Sequence, residues 1–227
     1  MRIVAIDIGL FHLGLIQALV KIPSADIVNS IQVQLCNLVN VKELSTKCTN
    51  TDCKLRHDNI ISDYMMHFFE RYDPVFIESD YILIERQPPA GFVAIEQIIM
   101  YKYREKCVLI SPVAMLHYFG FHKFDYDVRK EHTIEFATRY LKDMPDFINN
   151  ERKHDLADAL CMLYYFLDVV HKRIQQTSQV TRPGILSQLP NMRDYSALIQ
   201  NIVIELNNAI EDLDEDPDED PDEDYLN

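Results

Sequence analysis

Four carboxylates in three well-separated segments have the residue types and settings for chemistry on a phosphate ester. Asp7 lies in IVAIDIG (3–9), Glu85 in YILIERQPP (81–89), and Asp155 and Asp158 in KHDLADAL (153–160). Asp7 falls within an apolar run in which Ile3 and Ala5 alternate with Val4, Ile6 and Ile8. A carboxylate inside such a strand must be paired, hydrogen-bonded or bound to a cation; the plainer reading is a strand-end aspartate capping a turn. Glu85 closes the run YILIE before Arg86, Gln87 and two prolines. That places it at the edge of an α/β sheet, where ligands are met, unless it is simply solvated surface. Asp155 and Asp158 are spaced i, i+3 and so share one face near the start of a helix. Acids there complement the helix dipole. Leu156, Ala157, Ala159, Leu160, Leu163 and Phe166 nevertheless mark this helix as largely buried, and two negative charges one turn apart near a core repel unless a cation neutralises them.

Hydrolysis of a phosphodiester develops charge on both the attacking and the leaving oxygen. Two divalent cations about 3.5–4 Å apart can stabilise both. An all-oxygen set made of Asp7, Glu85, Asp155 and Asp158 selects hard ions, so Mg²⁺ or Mn²⁺, two per site, is the expected cofactor. A nearby lysine would neutralise the transition state or orient the nucleophile.

The elements that must position these groups follow from periodicity. Residues 3–9 and 13–20 are β-branched-rich runs separated by LFH and read as two antiparallel strands, with Gly9 and Gly14 easing the turn. A third strand fits within 27–41, where IVNSIQVQLCNLV alternates over much of its length. Ile60, Ile61, Tyr64, Met65, Phe68, Phe69 and Tyr72 then recur at helical spacing over 57–72, and Asp73-Pro74 predicts the stop. A buried strand at 80–85, a helix over 90–105, a strand at 107–110 and a short helix opening with Pro112 after Ser111 come next. Helices are expected over 127–142, 154–174 and 192–211, with a Pro/Gly/Ser-containing connector before the last.

With 227 residues and 48% hydrophobic content, the chain can fill one α/β core and little more. It lacks a run of eighteen apolar residues, and its N-terminus leads straight into IVAIDIG, so a soluble, unexported protein without membrane contact is expected. The odd cysteine count asks for no oxidising compartment. The net charge of −14 is concentrated in residues 211–224, EDLDEDPDEDPDED, which hold eleven of the 36 acidic residues. Residues 1–210 carry 25 acidic against 22 basic residues, a balance of −3, which leaves room for a positive face toward DNA. The Asp-Glu-Asp-Pro repeat cannot bury enough surface to order itself and reads as a disordered, solvated tail.

Together, AIDIG with Gly14 beyond it, IERQPP, the SP at 111–112, YDVRKE at 126–131 and KHDLADAL resemble the RuvC-like Holliday junction resolvases, in particular the type encoded by poxviruses and related large DNA viruses. The resemblance covers about residues 1–170. It implies a ribonuclease-H-like α/β fold, a mixed central sheet flanked by helices, and it carries the four metal-binding acids of the family onto Asp7, Glu85, Asp155 and Asp158. The family's basic residue between the second and third acidic segments matches Lys130, with Lys123 in reserve; the plainer reading of either is a solvated lysine. Family members often have two adjacent aspartates before the Ala-Asp, where this chain has His154-Asp155. His154 is then a proton carrier or simply surface.

Regions outside the resemblance are read from their residues alone. Cys48-x4-Cys53-x3-His57, with Cys36 upstream, could form a Cys₃His zinc site stapling an irregular polar segment; packed or surface thiols are the alternative. Arg86, Lys102, Arg104 and Lys106, and Lys123, Arg129, Lys130, Arg139 and Lys142, form the dense basic regions expected to grip a DNA backbone with strong salt dependence. Phe119, Phe121, Phe124 and Tyr126 could stack at an open junction centre or belong to the core.

The division expected is a nuclease domain over 1–175, a helical extension over 176–210 and the acidic tail over 211–227. The function implied is a metal-dependent endodeoxyribonuclease that resolves four-way and branched DNA by paired symmetric nicks, with viral genome concatemers as substrates and cytoplasmic replication sites of the host cell as location. Paired nicking implies a C2 homodimer, with Phe92, Ile95, Ile98, Ile99 and Tyr101 as a possible interface; in a monomer that face is core. A ribonuclease H or exonuclease on the same fold is one rival, and a non-catalytic DNA-binding or packaging adaptor another. The tail is a DNA mimic, a segment that docks another protein, or a solubilising end.

Overall fold

The computed structural model describes residues 1–21, 27–180 and 192–208. β1 (Arg2–Asp7) and β2 (Leu13–Val20) pair antiparallel around a tight turn, and β3 (Ile31–Val39) adds antiparallel to β2. A Cβ on Gly9 would lie 2.6 Å from the His12 carbonyl oxygen, so that turn closes only over a glycine. A short helix α1 (Val41–Thr46) follows, capped by Asn40, whose side chain accepts from Glu43 N. Then come α2 (Ile61–Ile77), β4 (Tyr81–Glu85), α3 (Val93–Tyr103) and β5 (Cys107–Ile110). α4 (Pro112–Phe119) starts as expected, with Pro112 in the first turn and Ser111 Oγ accepting from Ala114 N, and Gly120 closes it in the left-handed conformation. A 3-10 turn (Phe121–Lys123) leads into α5 (Tyr126–Leu141), α6 (Pro145–Asn149), α7 (Lys153–Val180) and α8 (Met192–Asn208).

The sheet order is β3-β2-β1-β4-β5, with β4 parallel to β1 and β5 parallel to β4. This mixed sheet flanked by helices has the ribonuclease-H-like order anticipated above. Strand alternation divides the core in two. Ile3, Ala5, Ile16, Ala18, Tyr81 and Leu83 face α5, α7 and α8, while Val4, Ile6, Leu13, Leu15, Ile82 and Ile84 face α2 and α3. Continuing the first parity to the strand ends places Asp7, Gly14 and Glu85 on the α7 side.

Several expectations need correction. α2 does not stop at Asp73-Pro74 but runs through Pro74 to Ile77. Its end is held from outside: Lys102 Nζ reaches Asp73 Oδ2 at 2.9 Å, Tyr103 hydroxyl bonds Asp73, and Lys106 Nζ donates to the Ile77 carbonyl at 2.6 Å. Lys102 and Lys106 are thus tied to α2. Ile95 and Ile99 are fully buried, with Phe92 and Ile98 partly buried against the same cluster, so most of the suggested dimer face of α3 packs into the core, while Tyr101 is 90% exposed. α7 extends through residue 175 to Val180, and Ile199 and Ile202 of α8 join the cluster around α7. The acidic segment 211–227 lies outside the described residues. No helix among the described residues is long and apolar enough to cross a membrane.

Candidate active site

Asp7 is the last residue of β1, and not a mid-strand residue as the apolar run suggested; Glu85 is the last residue of β4. The two strands are parallel neighbours, with Ile6 opposite Ile84, so both carboxylates leave the same sheet edge on the same face. Their side chains meet closely enough for each to shift the protonation of the other. α7 supplies the other pair. It crosses the sheet where Gly14, the register partner of Asp7, leaves no side chain. A Cβ on Gly14 would sit 2.3 Å from the Asp155 carbonyl oxygen. The glycine therefore lets the first turn of the helix approach the strand backbone closely, bringing Asp155 and Asp158, 6% and 9% exposed, toward Asp7.

α5 brings in the lysine. Thr133, Ala137 and Leu141 form its buried stripe, and Lys130 lies one turn ahead of Thr133 on that stripe. Its Nζ donates to Asp158 Oδ2 at 2.7 Å and lies 5.0 Å from the centre of the Tyr126 ring. Lys123, by contrast, is in the exposed 3-10 turn before α5. Of the two candidate lysines, Lys130 is the one placed among the acids.

Burial and crowding of like charges shape the electrostatics of this cluster. Burial is the largest influence on Asp7, and the charges of Glu85, Asp158 and Asp155 add to it, raising its pKa well above the usual carboxylate range. Glu85 is pushed up to about 7, again chiefly by burial, with the Asp7 hydrogen bond and Lys130 partly offsetting it. Burial works against the Lys130 charge, but Asp158 and Asp7 outweigh it and hold the ammonium protonated. An all-carboxylate set at a strand edge fits hard divalent ions.

Several positioning groups escaped the sequence reading. Gln87 Nε2 donates to Glu85 Oε2 at 3.0 Å, while its Oε1 accepts from Phe92 N at 3.0 Å. Its backbone N donates to Oε2 of the buried Glu96 at 2.8 Å. Residues 86–92 are thereby wrapped around an amide that fixes the Glu85 carboxylate. Arg152 Nε donates to Asp155 Oδ2 at 3.1 Å. His154, at the position where the chain departs from the family pattern, is neither surface nor well satisfied. Its Nε2 is buried, 3.2 Å from Asp155 Oδ1 yet without hydrogen-bond alignment. Burial lowers its pKa, against the pull of Asp155. The signal for Gln87 was present in IERQPP, but a neutral amide beside a glutamate carries no charge pattern to flag it.

The aromatic group splits. Phe119 packs against Phe136 and Tyr164 and stacks on Phe121, and belongs to the core margin. Phe124 and Tyr126 are each 43% exposed; Tyr126 lies beneath Lys130, and Phe124 packs against His132.

A mixed sheet with four carboxylates and one lysine at one edge defines a candidate hydrolytic centre on a ribonuclease-H-like fold. No family model and no curated protein matches the chain. Among solved structures it is similar to the fowlpox virus Holliday junction resolvase, with 13% identity, 74% of this chain and 99% of that chain covered, and a TM-score of 0.45. It is also similar to the fowlpox virus resolvase in complex with substrate Holliday junction DNA, with 17% identity, 74% and 97% covered, and a TM-score of 0.47. A third is T. thermophilus RuvC in complex with a Holliday junction substrate, with 14% identity, 74% and 93% covered, and a TM-score of 0.42.

Proposed function

We propose that the chain is a metal-dependent endodeoxyribonuclease that cuts branched DNA, four-way junctions above all, by paired symmetric nicks. The observation that carries this is the convergence of Asp7, Glu85, Asp155 and Asp158 with Lys130 at one sheet edge. Asp7, Glu85, Asp155 and Asp158 would hold divalent metal, Mg²⁺ or Mn²⁺. When bound, such ions supply charge stabilisation for both oxygens of an in-line displacement at phosphorus. Lys130 keeps a fixed positive charge beside the acids, where the scissile phosphate gains charge. Gln87 orients Glu85, Arg152 orients Asp155, and the Gly14 contact sets the spacing between strand and helix pairs. Tyr126 offers a partly exposed ring beside Lys130 for an unstacked base.

The branched substrate, the viral setting and the cytoplasmic location follow from the motif resemblance. The chemistry is assigned to residues 1–175, with 176–210 as an extension and 211–227 as an appended tail. Paired nicks need two sites related by a twofold axis, hence a homodimer. Its interface lies elsewhere than the buried face of α3.

The test is cleavage of a labelled synthetic four-way junction beside linear duplex and RNA–DNA hybrid, with Mg²⁺ or Mn²⁺. Symmetric nicks confined to branched DNA and abolished in Asp7→Asn are expected. Cutting of the hybrid or degradation from ends would move the protein to the ribonuclease H or exonuclease class, and junction binding without cutting would make it an adaptor.

A further inference from the structure

Away from the acids, on the α2 side of the sheet, the chain gathers a second set of ligand-type side chains. Cys48 Sγ, Cys53 Sγ and ring nitrogens of His57 and His67 all lie within 4.8 Å of one another. Cys36, grouped with this segment by sequence, is elsewhere: it is buried in β3 opposite Ile16. The fourth member is His67, from the middle of α2, which a helical pattern reads as an ordinary polar position.

We propose that Cys48, Cys53, His57 and His67 form a Cys₂His₂ structural zinc site that staples the α1–α2 connection onto α2. A tetrahedral site with Zn–N of about 2.0–2.1 Å and Zn–S of about 2.3 Å has ligand edges of roughly 3.3–3.8 Å. Here His57 Nε2 is 3.0 Å and Cys53 Sγ 3.7 Å from His67 Nε2. The two imidazoles meet edge-on, centroids 4.6 Å apart at 62°, which points their nitrogens to one place instead of stacking their faces.

The surroundings are built to hold that arrangement. His67 Nδ1 lies 2.7 Å from the Asp63 carbonyl oxygen. Donation there fixes the tautomer and leaves the Nε2 lone pair facing the cluster, as the outer partners of zinc-ligating histidines do. Asp63 is itself buried, and its Oδ2 accepts from Asp58 N at 2.7 Å, pinning the residue after His57 to the first turn of α2.

The connection also lacks an apolar anchor. From Thr46 to Ile60 no residue is buried, and from 47 to 60 no helix or strand forms. A loop of this length without apolar burial needs another source of order. Two thiolates and two imidazoles are soft and intermediate donors that favour zinc, in contrast to the oxygen-only set at the sheet edge. All four positions are filled by protein, which marks a structural and not a catalytic site. The inference does not depend on the nuclease reading.

The test is metal analysis of the full-length protein, isolated in reducing, chelator-free buffer. About one zinc per chain is expected, retained in Asp7→Asn and in Cys36→Ser and lost in Cys53→Ser and His57→Gln. Should the variants fail to fold, wild-type protein stripped of zinc and refilled with Co²⁺ decides the matter through the intense visible bands of a tetrahedral thiolate-bound ion. Absence of both zinc and a tetrahedral Co²⁺ spectrum in wild-type protein would overturn the site. So would a Cys48–Cys53 disulfide found in protein thiol-blocked at lysis.

Discussion

Asp7 and Glu85 meet at the sheet edge, and in chelated protein that contact is a liability. Burial and the charges of neighbouring acids raise both pKa values in the folded state, Glu85 to about 7. A carboxyl raised in this way contributes stability that is complete below its unfolded pKa and lost as pH rises through the folded one. Chelated wild-type protein should therefore lose stability as pH climbs through about 7. Asp7→Asn removes one charge and keeps a hydrogen-bonding partner for Glu85. In chelator above that pH its Tm should exceed that of wild type by about 2–4 °C, as about 1 kcal/mol gives in a domain of this size, although cleavage is abolished. An unchanged or lower Tm in calorimetry would show that the two carboxylates are not strained against each other. Lys130→Met should leave junction binding nearly intact and lower the single-turnover rate by about 10²–10³-fold, the range for losing one preorganised charge partner. An equal loss with Lys123→Met would deny Lys130 its special place. The acids were legible because a charge in an apolar run violates the pattern around it. Gln87, Arg152 and His67 were not, because their importance lies in partners that only the fold brings near.

At the scale of elements, strand parity did most of the positioning: Asp7 and Glu85 end parallel neighbours on one face, and α7 covers that face. The order of the strands and the longer helices was readable in the sequence, including the start of α4 at Ser111-Pro112 and the strand at 107–110, whereas the short α1 and α6 were not anticipated. Ends were less readable. Asp73-Pro74 signalled a stop, yet Lys102, Tyr103 and Lys106 hold the following turn of α2 in place through contacts about thirty residues distant in sequence. The Gly14 contact was likewise hidden, since a glycine after a turn reads as turn chemistry, whereas here its missing side chain admits the Asp155 backbone. Gly14→Ala tests this. The added methyl must displace α7 or β2, at a cost of about 1–3 kcal/mol for overpacking. Cleavage should fall more steeply than stability, because Asp155 and Asp158 move relative to Asp7 with every ligand still present. A urea midpoint and a junction-cleavage rate close to wild type would mean the contact is slack.

For the whole molecule, charge and symmetry set the terms. The segment 211–224 carries eleven of the acids and residues 1–210 only −3 net, so deletion of 211–227 should tighten junction binding at low salt if the tail competes for the DNA face. Equal affinity with and without it would leave the tail as a solubilising end. Symmetry makes the sharper demand. One protomer has one set of four acids, and a paired nick needs two sets held across a junction. Because Ile95 and Ile99 of α3 are inside the core, a dimer cannot form through them without unfolding that face. Mixed dimers reveal whether the pair acts together. If wild type and Asp7→Asn are co-expressed in equal amounts and subunits combine at random, about a quarter of dimers hold two intact sites and about half hold one. Paired nicking should then drop to about a quarter of the wild-type level while single-strand nicks accumulate. Monomers acting independently would give a fall to about half with no excess of single nicks at completion, and that result would remove the twofold dimer from the mechanism.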